Sequence, residues 1–350
     1  MNKDLILNRI PVPTWNRLKV NFTNAEVPES PEQIKYDVEL PSEIDVKEEG
    51  FAGASGQVIM PERSAGEEWA EYIDGSSLEE VSYVLGEGKT NAEALRLTFN
   101  GEGNGSRINL VAKDNANLTV VYNMTGDYDK TIVRDTLISA GDNATVTLIE
   151  IYKLGDKTRV VDSIGGIYGQ GATFRLYQIV VGGSDMILGA CADLNGNSSA
   201  IEIDSAYLTK NSERIDYNYI ARHRGQHTTS NINVTGALKD KSMKTFRGTI
   251  DFILGAVGAK GSEREDVLLL SEDVINKTVP IILCVEEDVE GEHGASIGRI
   301  SDEALLYFAS RGIEEKEAEE LLATARIDAV SGRIPDERTR KELLGAGEED

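Results

Sequence analysis

From Leu95 to about Glu290 the chain is a succession of short runs of Val, Ile, Thr, Tyr and Leu broken by Asn, Asp and Gly, the pattern of strands and turns. The runs recur. Ala116, Ala144, Ala172 and Ala200 stand 28 residues apart and open the strand-like runs NLTVVY, TVTLIE, TFRLYQ and IEID. Turn formers precede them: Asn115, Asn143, Gly171 and Ser199. A second register keeps the spacing, with IVRD at Ile132, VVD at Val160, LGA at Leu188 and DYN at Asp216. Two strands per repeat with no helix between them predict a coiled β-solenoid. One rung cannot bury its inward side chains alone, so rungs stack and share a core. The ends of the stack are edge strands that must be capped or paired with another chain. A β-sandwich with evenly spaced strands is the alternative.

The flanks read differently. Pro11, Pro13, Pro28, Pro31 and Pro41 predict an irregular arm over the first 60 residues. Between Glu62 and Leu97 the pattern predicts two short helices. Ser77 and Glu80 resemble a capping box, and Leu78, Val81, Val84 and Leu85 share a helical face. After Arg299 a helix is expected from Asp302 to Ser310, stopped near Gly312. A longer one follows from Glu314 to Val330 with Ala318, Leu321, Leu322, Ala325 and Ala329 on one face, and a third begins at Pro335. The expected organisation is an arm and helical region over 1–94, a β core over 95–299 and a helical domain over 300–350. The helices are natural caps for a solenoid end, and the C-terminal unit could equally present a groove to a partner.

Charge narrows the function. Thirty-six basic and 60 acidic residues leave a net charge of −24, which argues against sequence-independent nucleic-acid binding, since that depends on Lys and Arg displacing counterions. No apolar run approaches the roughly 18 residues of a membrane span. The start, MNKDLILNRIPVP, lacks the pattern of a secretory signal, so the expected location is cytoplasmic. Cys191 and Cys284 are the only cysteines, too few for a disulfide framework.

Candidate chemistry is sparse. His223 and His227 in RHRGQH would chelate a metal on a helix, but four residues along a strand span roughly 13 Å, so exposed strand or turn histidines are expected. Cys191 in MILGACADL reads as core. Around Cys284, Ile281, Leu283 and Val285 alternate onto one face; if that face is core, the thiol points outward, and a buried thiol is the alternative. His293 lies in EDVEGEHGASIGRI, where Gly291 and Gly294 permit a tight turn. Imidazole with thiolate and carboxylate suits iron or zinc. There is no phosphate-binding P-loop, no Gly-x-Ser-x-Gly, no Cys-x-x-Cys and no His-Glu-x-x-His. Self-contained enzyme chemistry and nucleotide binding are therefore not expected.

The runs FRGTIDF at Phe246–Phe252, EDVLLLSEDV at Glu265–Val274 and EDVEGEHGASIGRI, followed by SRGI at Ser310–Ile313, resemble the SufB/SufD family of iron-sulfur cluster assembly proteins. The likeness covers about residues 110 to 330. It implies a right-handed parallel β-helix with helical flanks, mainly β in class, acting as a scaffold. It implies pairing through the β-helix with a SufB/SufD paralogue or a second copy, and docking of a SufC-type ABC ATPase on the C-terminal helices, with Leu305, Leu321 and Leu322 as candidates. It also implies that iron and sulfide, the latter from a cysteine desulfurase, meet as a transient iron-sulfur cluster at the interface. SufB carries a cysteine where this chain has Glu265 and His-Glu where it has His293-Gly294, whereas SufD keeps His-Gly. The chain thus looks SufD-like, with His293 and, as a separate hypothesis, Cys284 as metal ligands. A SufB-type member carrying the cluster itself is the alternative. A β-helix enzyme acting on carbohydrate would need facing carboxylates and aromatic residues to stack on sugars, and aromatics are only 6% of the chain.

Overall fold

The structure is a computed structural model describing residues 2–345. Two sheets of nine strands each face one another. The front sheet contains β4 (Ile44–Lys47), β5 (Glu80–Leu85), β7 (Gly105–Ala112), β9 (Thr131–Ala140), β11 (Arg159–Tyr168), β13 (Asp185–Leu194), β15 (Arg214–His223), β17 (Met243–Phe252) and β19 (Ile275–Cys284). The back sheet contains β3 (Tyr36–Glu39), β6 (Leu95–Phe99), β8 (Asn117–Gly126), β10 (Thr145–Leu154), β12 (Thr173–Gly182), β14 (Ala200–Thr209), β16 (Thr229–Leu238), β18 (Ala259–Leu269) and β20 (Val289–Gly298). The chain alternates between the sheets, and from β5 and β6 onward every pairing within a sheet is parallel. This is a β-solenoid. Its N-terminal end is closed by β3 and β4, which pair antiparallel to β6 and β5. At the other end nothing among the described residues pairs with the free edges of β19 and β20.

The corner between the sheets explains the repeat. Asn115, Asn143, Gly171, Ser198, His227 and Gly258 all take positive φ between 55° and 72°. The backbone N–H of each donates to a carbonyl of the next rung, as from Asn115 to Asp142 and from His227 to Val257. Asn is the non-glycine residue that tolerates this conformation best, which is why the column was visible as turn formers. The repeat is not constant, however. The register advances 28 residues from Asn117 to Thr145, 27 from Thr173 to Ala200, 29 from Ala200 to Thr229 and 31 from Thr229 to Lys260. Ala200 is therefore one place out of its column; Ser199 stacks on Ala172. Likewise Leu188 stacks on Asp162, not on Val160.

The interior is filled by rows such as Val120, Leu148, Leu176, Ile203 and Ile232, all at most 1% exposed. Each outer face has its own cover. On the front sheet, β1 (Asn2–Leu7) pairs antiparallel with β2 (Thr23–Pro28), and this pair packs with α2 (Glu67–Asp74) on Val133, Val161 and Ile187. On the back sheet, α4 (Glu315–Ser331) runs across successive strands, from β18 and β16 toward β10, and with the turn before α5 (Glu337–Leu344) it buries Val330 and Ile334 against Ile149, Ile179 and Ala206. Fully burying two such side chains contributes about 1.5–3 kcal/mol each.

The proline-rich arm has no long regular element; its strands β1 to β4 are short and separated by irregular stretches. Two expectations are corrected here. Residues 80–85, expected in a helix, are β5; only α2 is helical between Glu62 and Leu97, while α1 (Phe51–Ser55) lies ahead of it. The C-terminal helices cover a side of the solenoid, not its end. α3 (Asp302–Ser310), capped by the Ser301 hydroxyl, which accepts from Ala304 N–H at 3.2 Å, carries the chain from β20 toward α4.

Candidate functional site

Parallel strands in register point partner side chains to the same face. The apolar interior row Leu148, Leu176, Ile203, Ile232 therefore continues into Glu263 of β18 and His293 of β20. A second interior row runs Leu194, His223, Phe252, Cys284. Both rows end in a metal-binding residue type on the last rung. His293 and Cys284 are exposed because no rung follows theirs.

The solenoid interior lies on the Cys284 face, not on the Ile281 face, yet the thiol is exposed, as one of its two open readings had it. Ile282, on the same face as the thiol, packs with the interior cluster of Ile250, Phe252, Ala256 and Ala259. Ile281 packs on the opposite side, against Ile10 and Val20 of the arm. The thiol faces the mouth of the solenoid, and its Sγ donates to the Glu286 carbonyl at 3.0 Å. His293 is in a strand, not a turn, four residues beyond Val289 and so ~13 Å along β20. Among the described residues no three His, Cys, Asp or Glu side chains converge to hold a metal.

Beneath this mouth lies a charged group of which only Glu265, as the position of the SufB cysteine, stood out in the sequence. Lys244 of β17 is fully buried and ion-paired with Glu265, whose other oxygen accepts from the Thr278 hydroxyl at 2.6 Å. Glu265 thus sits inside β18, and its carboxylate is spent on an internal pair. Glu263 is 3% exposed and its carboxyl is pushed up to about 7, by burial first and the neighbouring Glu265 second, with Lys244 opposing. Burial pulls the Lys244 ammonium down. Room for Glu263 comes from Gly248 opposite, where a Cβ would overlap the carboxylate. Counting back by twos from Val267 along β18 would have placed Glu265 and Glu263 inward.

Further in, the solenoid interior holds a second polar group. Arg134 contacts Glu150, Tyr152 and Asp162, all buried, and the Gln178 amide donates to Glu150 at 2.6 Å. Burial and Asp162 push Glu150 up to about 8.

The remaining candidates fall elsewhere. His223, expected exposed, is fully buried; its two ring nitrogens lie 2.7 and 2.9 Å from the Thr228 and Ser230 hydroxyls, and burial pulls it down to about 4. His227 is an exposed corner residue, so the two do not form a chelate. Cys191 is buried and burial pushes its thiol up. On the C-terminal helices, Leu305 is half-buried and Leu321 is 49% exposed. Leu322 turns toward the back sheet, against the cluster of Ala237, Leu268 and Ala323. Leu306 and Tyr307 are the exposed large apolar residues of α3, at 72% and 55%. No helix is long and apolar enough to cross a membrane among the described residues.

Comparison with known proteins agrees with this architecture. The model of the SufBD core domain, described as SUF system FeS cluster assembly, matches residues 95–326. The iron-sulfur cluster assembly protein SufD of Bacillus subtilis is 27% identical over 239 residues, covering 67% of this chain and 55% of the relative. SufD of Escherichia coli is 25% identical over 179 residues, covering 51% and 42%. A SufBD family protein of Synechocystis is 26% identical over 256 residues, covering 69% and 52%. The chain spans about half the length of the curated relatives it matches. With a core match that takes in the solenoid from β6 through β20 and most of α4, this chain belongs to the SufBD family.

Proposed function

We propose that this chain is a SufD-like scaffold subunit in iron-sulfur cluster assembly. Its open solenoid end would pair with a SufB/SufD paralogue or a second copy, and iron or a nascent cluster would be the cargo held there. The carrying observation is that two interior rows end in His293 and Cys284 on an unpaired rung. An edge strand presents free N–H and C=O groups, so strand addition from a partner satisfies the backbone while bringing new ligands to the mouth. Too few ligands converge within one chain, and a shared site is completed by the other subunit. Neutral imidazole and thiolate are suitable donors for iron, with sulfide supplied from a cysteine desulfurase. Leu306, Tyr307 and Leu321 supply apolar surface for a SufC-type ATPase, with Leu305 beneath; Leu322 is committed to the back sheet.

Co-purification with candidate SufB-type and SufC-type partners, followed by anaerobic loading with ferrous iron and sulfide, tests the reading. His293→Ala should lower bound iron in the complex while leaving the melting temperature unchanged. Equal iron in the parent, His293→Ala and Cys284→Ser complexes would overturn the site. Leu306→Glu with Leu321→Glu should abolish ATPase retention; unchanged retention would overturn the docking assignment separately.

A further inference from the structure

Against a net charge of −24, one cleft of the protein has four cations, Lys19, Arg214, Arg247 and Lys277, and a single carboxylate, Asp216, among its lining residues. It holds about 600 Å³ and lies between the chain joining β1 to β2 and the outer face of the front sheet. Asp216, Thr245 and Lys277 are neighbours in register on β15, β17 and β19 and form its floor. Arg214 and Arg247 flank them, and Lys19 and Phe22 close over from the arm.

The two guanidinium groups are engaged in building the cleft. Arg247 pairs with Asp216 and donates to the Val20 carbonyl at 2.8 Å and the Phe22 carbonyl at 3.2 Å. Arg214 clamps Asp185 at 2.7 and 2.8 Å and donates to the Thr23 hydroxyl at 2.8 Å and the Asn24 carbonyl at 3.2 Å. The two ammonium groups are not so engaged. Among the described residues, neither Lys19 nor Lys277 has a carboxylate within 4.0 Å. The one hydrogen bond of the Lys277 ammonium is a long one, 3.5 Å to the Lys19 carbonyl. Burial, then the Lys19 and Arg247 cations, hold Lys277 below the usual lysine range. Four cations against Asp216 and Asp185 leave a surplus of two positive charges in a half-enclosed space.

We propose that this cleft binds a phosphate-bearing small molecule, its phosphate seated between the Lys19 and Lys277 ammonium groups. A phosphate group carries about −1.5 to −2 charges near neutrality and accepts hydrogen bonds from several directions, which matches the surplus. A monocarboxylate would neutralise only half of it. Phe22 and Met243 provide an apolar wall for the remainder of the ligand. The site lies on the outside of the front sheet, whereas His293 and Cys284 face the solenoid mouth, so its existence is independent of any role in cluster assembly.

Calorimetric titration of the full chain at low salt, with inorganic phosphate and with adenosine monophosphate as probes, tests this. Saturable binding of at least one phosphate probe is expected, weakened about tenfold or more by Lys19→Gln and by Lys277→Gln. Lys89→Gln, an exposed lysine outside the cleft, should leave it unchanged. Lys19 is exposed, so its variant decides the matter even if Lys277→Gln does not fold. Absence of saturable binding, affinity equal in the parent and Lys19→Gln, or succinate bound as tightly as either phosphate probe would each overturn the proposal.

Discussion

Arg63 and Asp135 form an ion pair with almost no solvent contact: the Arg63 Nε lies 3.0 and 2.9 Å from the two Asp135 oxygens, and the side chains are 4% and 2% exposed. Trp69 donates its indole N–H to the same carboxylate at 2.9 Å. The segment between the arm and α2 is thereby fixed to β9. Removing Arg63 strands the buried Asp135 carboxylate, whereas without Asp135 the guanidinium keeps its pair with Asp74 at 2.8 Å. Arg63→Ala should cost about 3–5 kcal/mol in urea unfolding and Asp135→Ala less, and Arg63→Met combined with Asp135→Leu should cost less than Arg63→Ala. A loss below about 1 kcal/mol for both single variants would show that the pair does not fix the segment.

Stability should fall as pH rises through the range where Glu263 titrates. Its folded value is pushed up to about 7, against 4.5 for the ordinary carboxyl. Between those values the folded protein binds the proton that the unfolded chain has released, so each step up in pH favours unfolding; below 4.5 and above about 7 the slope vanishes. Glu150, pushed up to about 8, acts with the same sign. Thermal melts from pH 5 to 8 should show a shallower decline in Glu263→Gln than in the parent, with the variant more stable at pH 8. An identical slope in both proteins counts against an ionising, buried Glu263.

Gly248 makes the space for Glu263, since an added Cβ would overlap its carboxylate. Gly248→Ala should therefore destabilise by about 1–3 kcal/mol, the cost of overpacking. Glu263→Ala in the same chain should restore part of the loss, because the obstructing atoms are gone. Additivity of the two substitutions in denaturant unfolding would disprove the coupling.

The two thiols should react very differently. Cys284 is exposed, whereas Cys191 is 2% exposed with its thiol pushed up by burial. Brief treatment of the native chain with iodoacetamide at pH 8 should label Cys284 alone, and both residues only after denaturation. Peptide mass spectrometry showing Cys191 labelled first would contradict the packing around β13.

The solenoid was legible because its corners need residues tolerant of positive φ, and Asn115, Asn143 and Gly171 announce them at even spacing. The slip at Ala200 was hidden because a rung shortened to 27 residues leaves an alanine where a strict repeat also puts one. Strand β5 was mistaken for a helix for a physical reason. Ser82, Tyr83, Val84 and Leu85 are all buried, being covered on both faces, so the two-residue alternation that marks a strand is absent. His293 and Cys284 stood out as residue types, but their shared mouth depends on register between strands 28 or more residues apart. Glu263 and Lys244 were overlooked, and Glu265 was noted only as the position of the SufB cysteine, because charges in a strand normally face solvent. The interior face of α4 was misjudged at Leu321, Ala325 and Ala329, which are exposed; Ala318, Ala323, Val330 and Ser331 are the buried positions.

The unpaired last rung has a dynamic consequence. In a stack where each rung is held only by its neighbours, opening free energy accumulates from the ends inward. At the N-terminal end β3 and β4 hold the first rung closed, but β19 and β20 have a neighbour on one side alone. Amide exchange should accordingly be fastest in β20 and slow progressively toward β10, a gradient along the axis of the molecule. The mouth lined by His293 and Cys284 then zips and unzips locally while the rest of the stack stays intact. Whatever seats on that edge supplies the missing neighbour, so its binding would be read out as slowed exchange several rungs away.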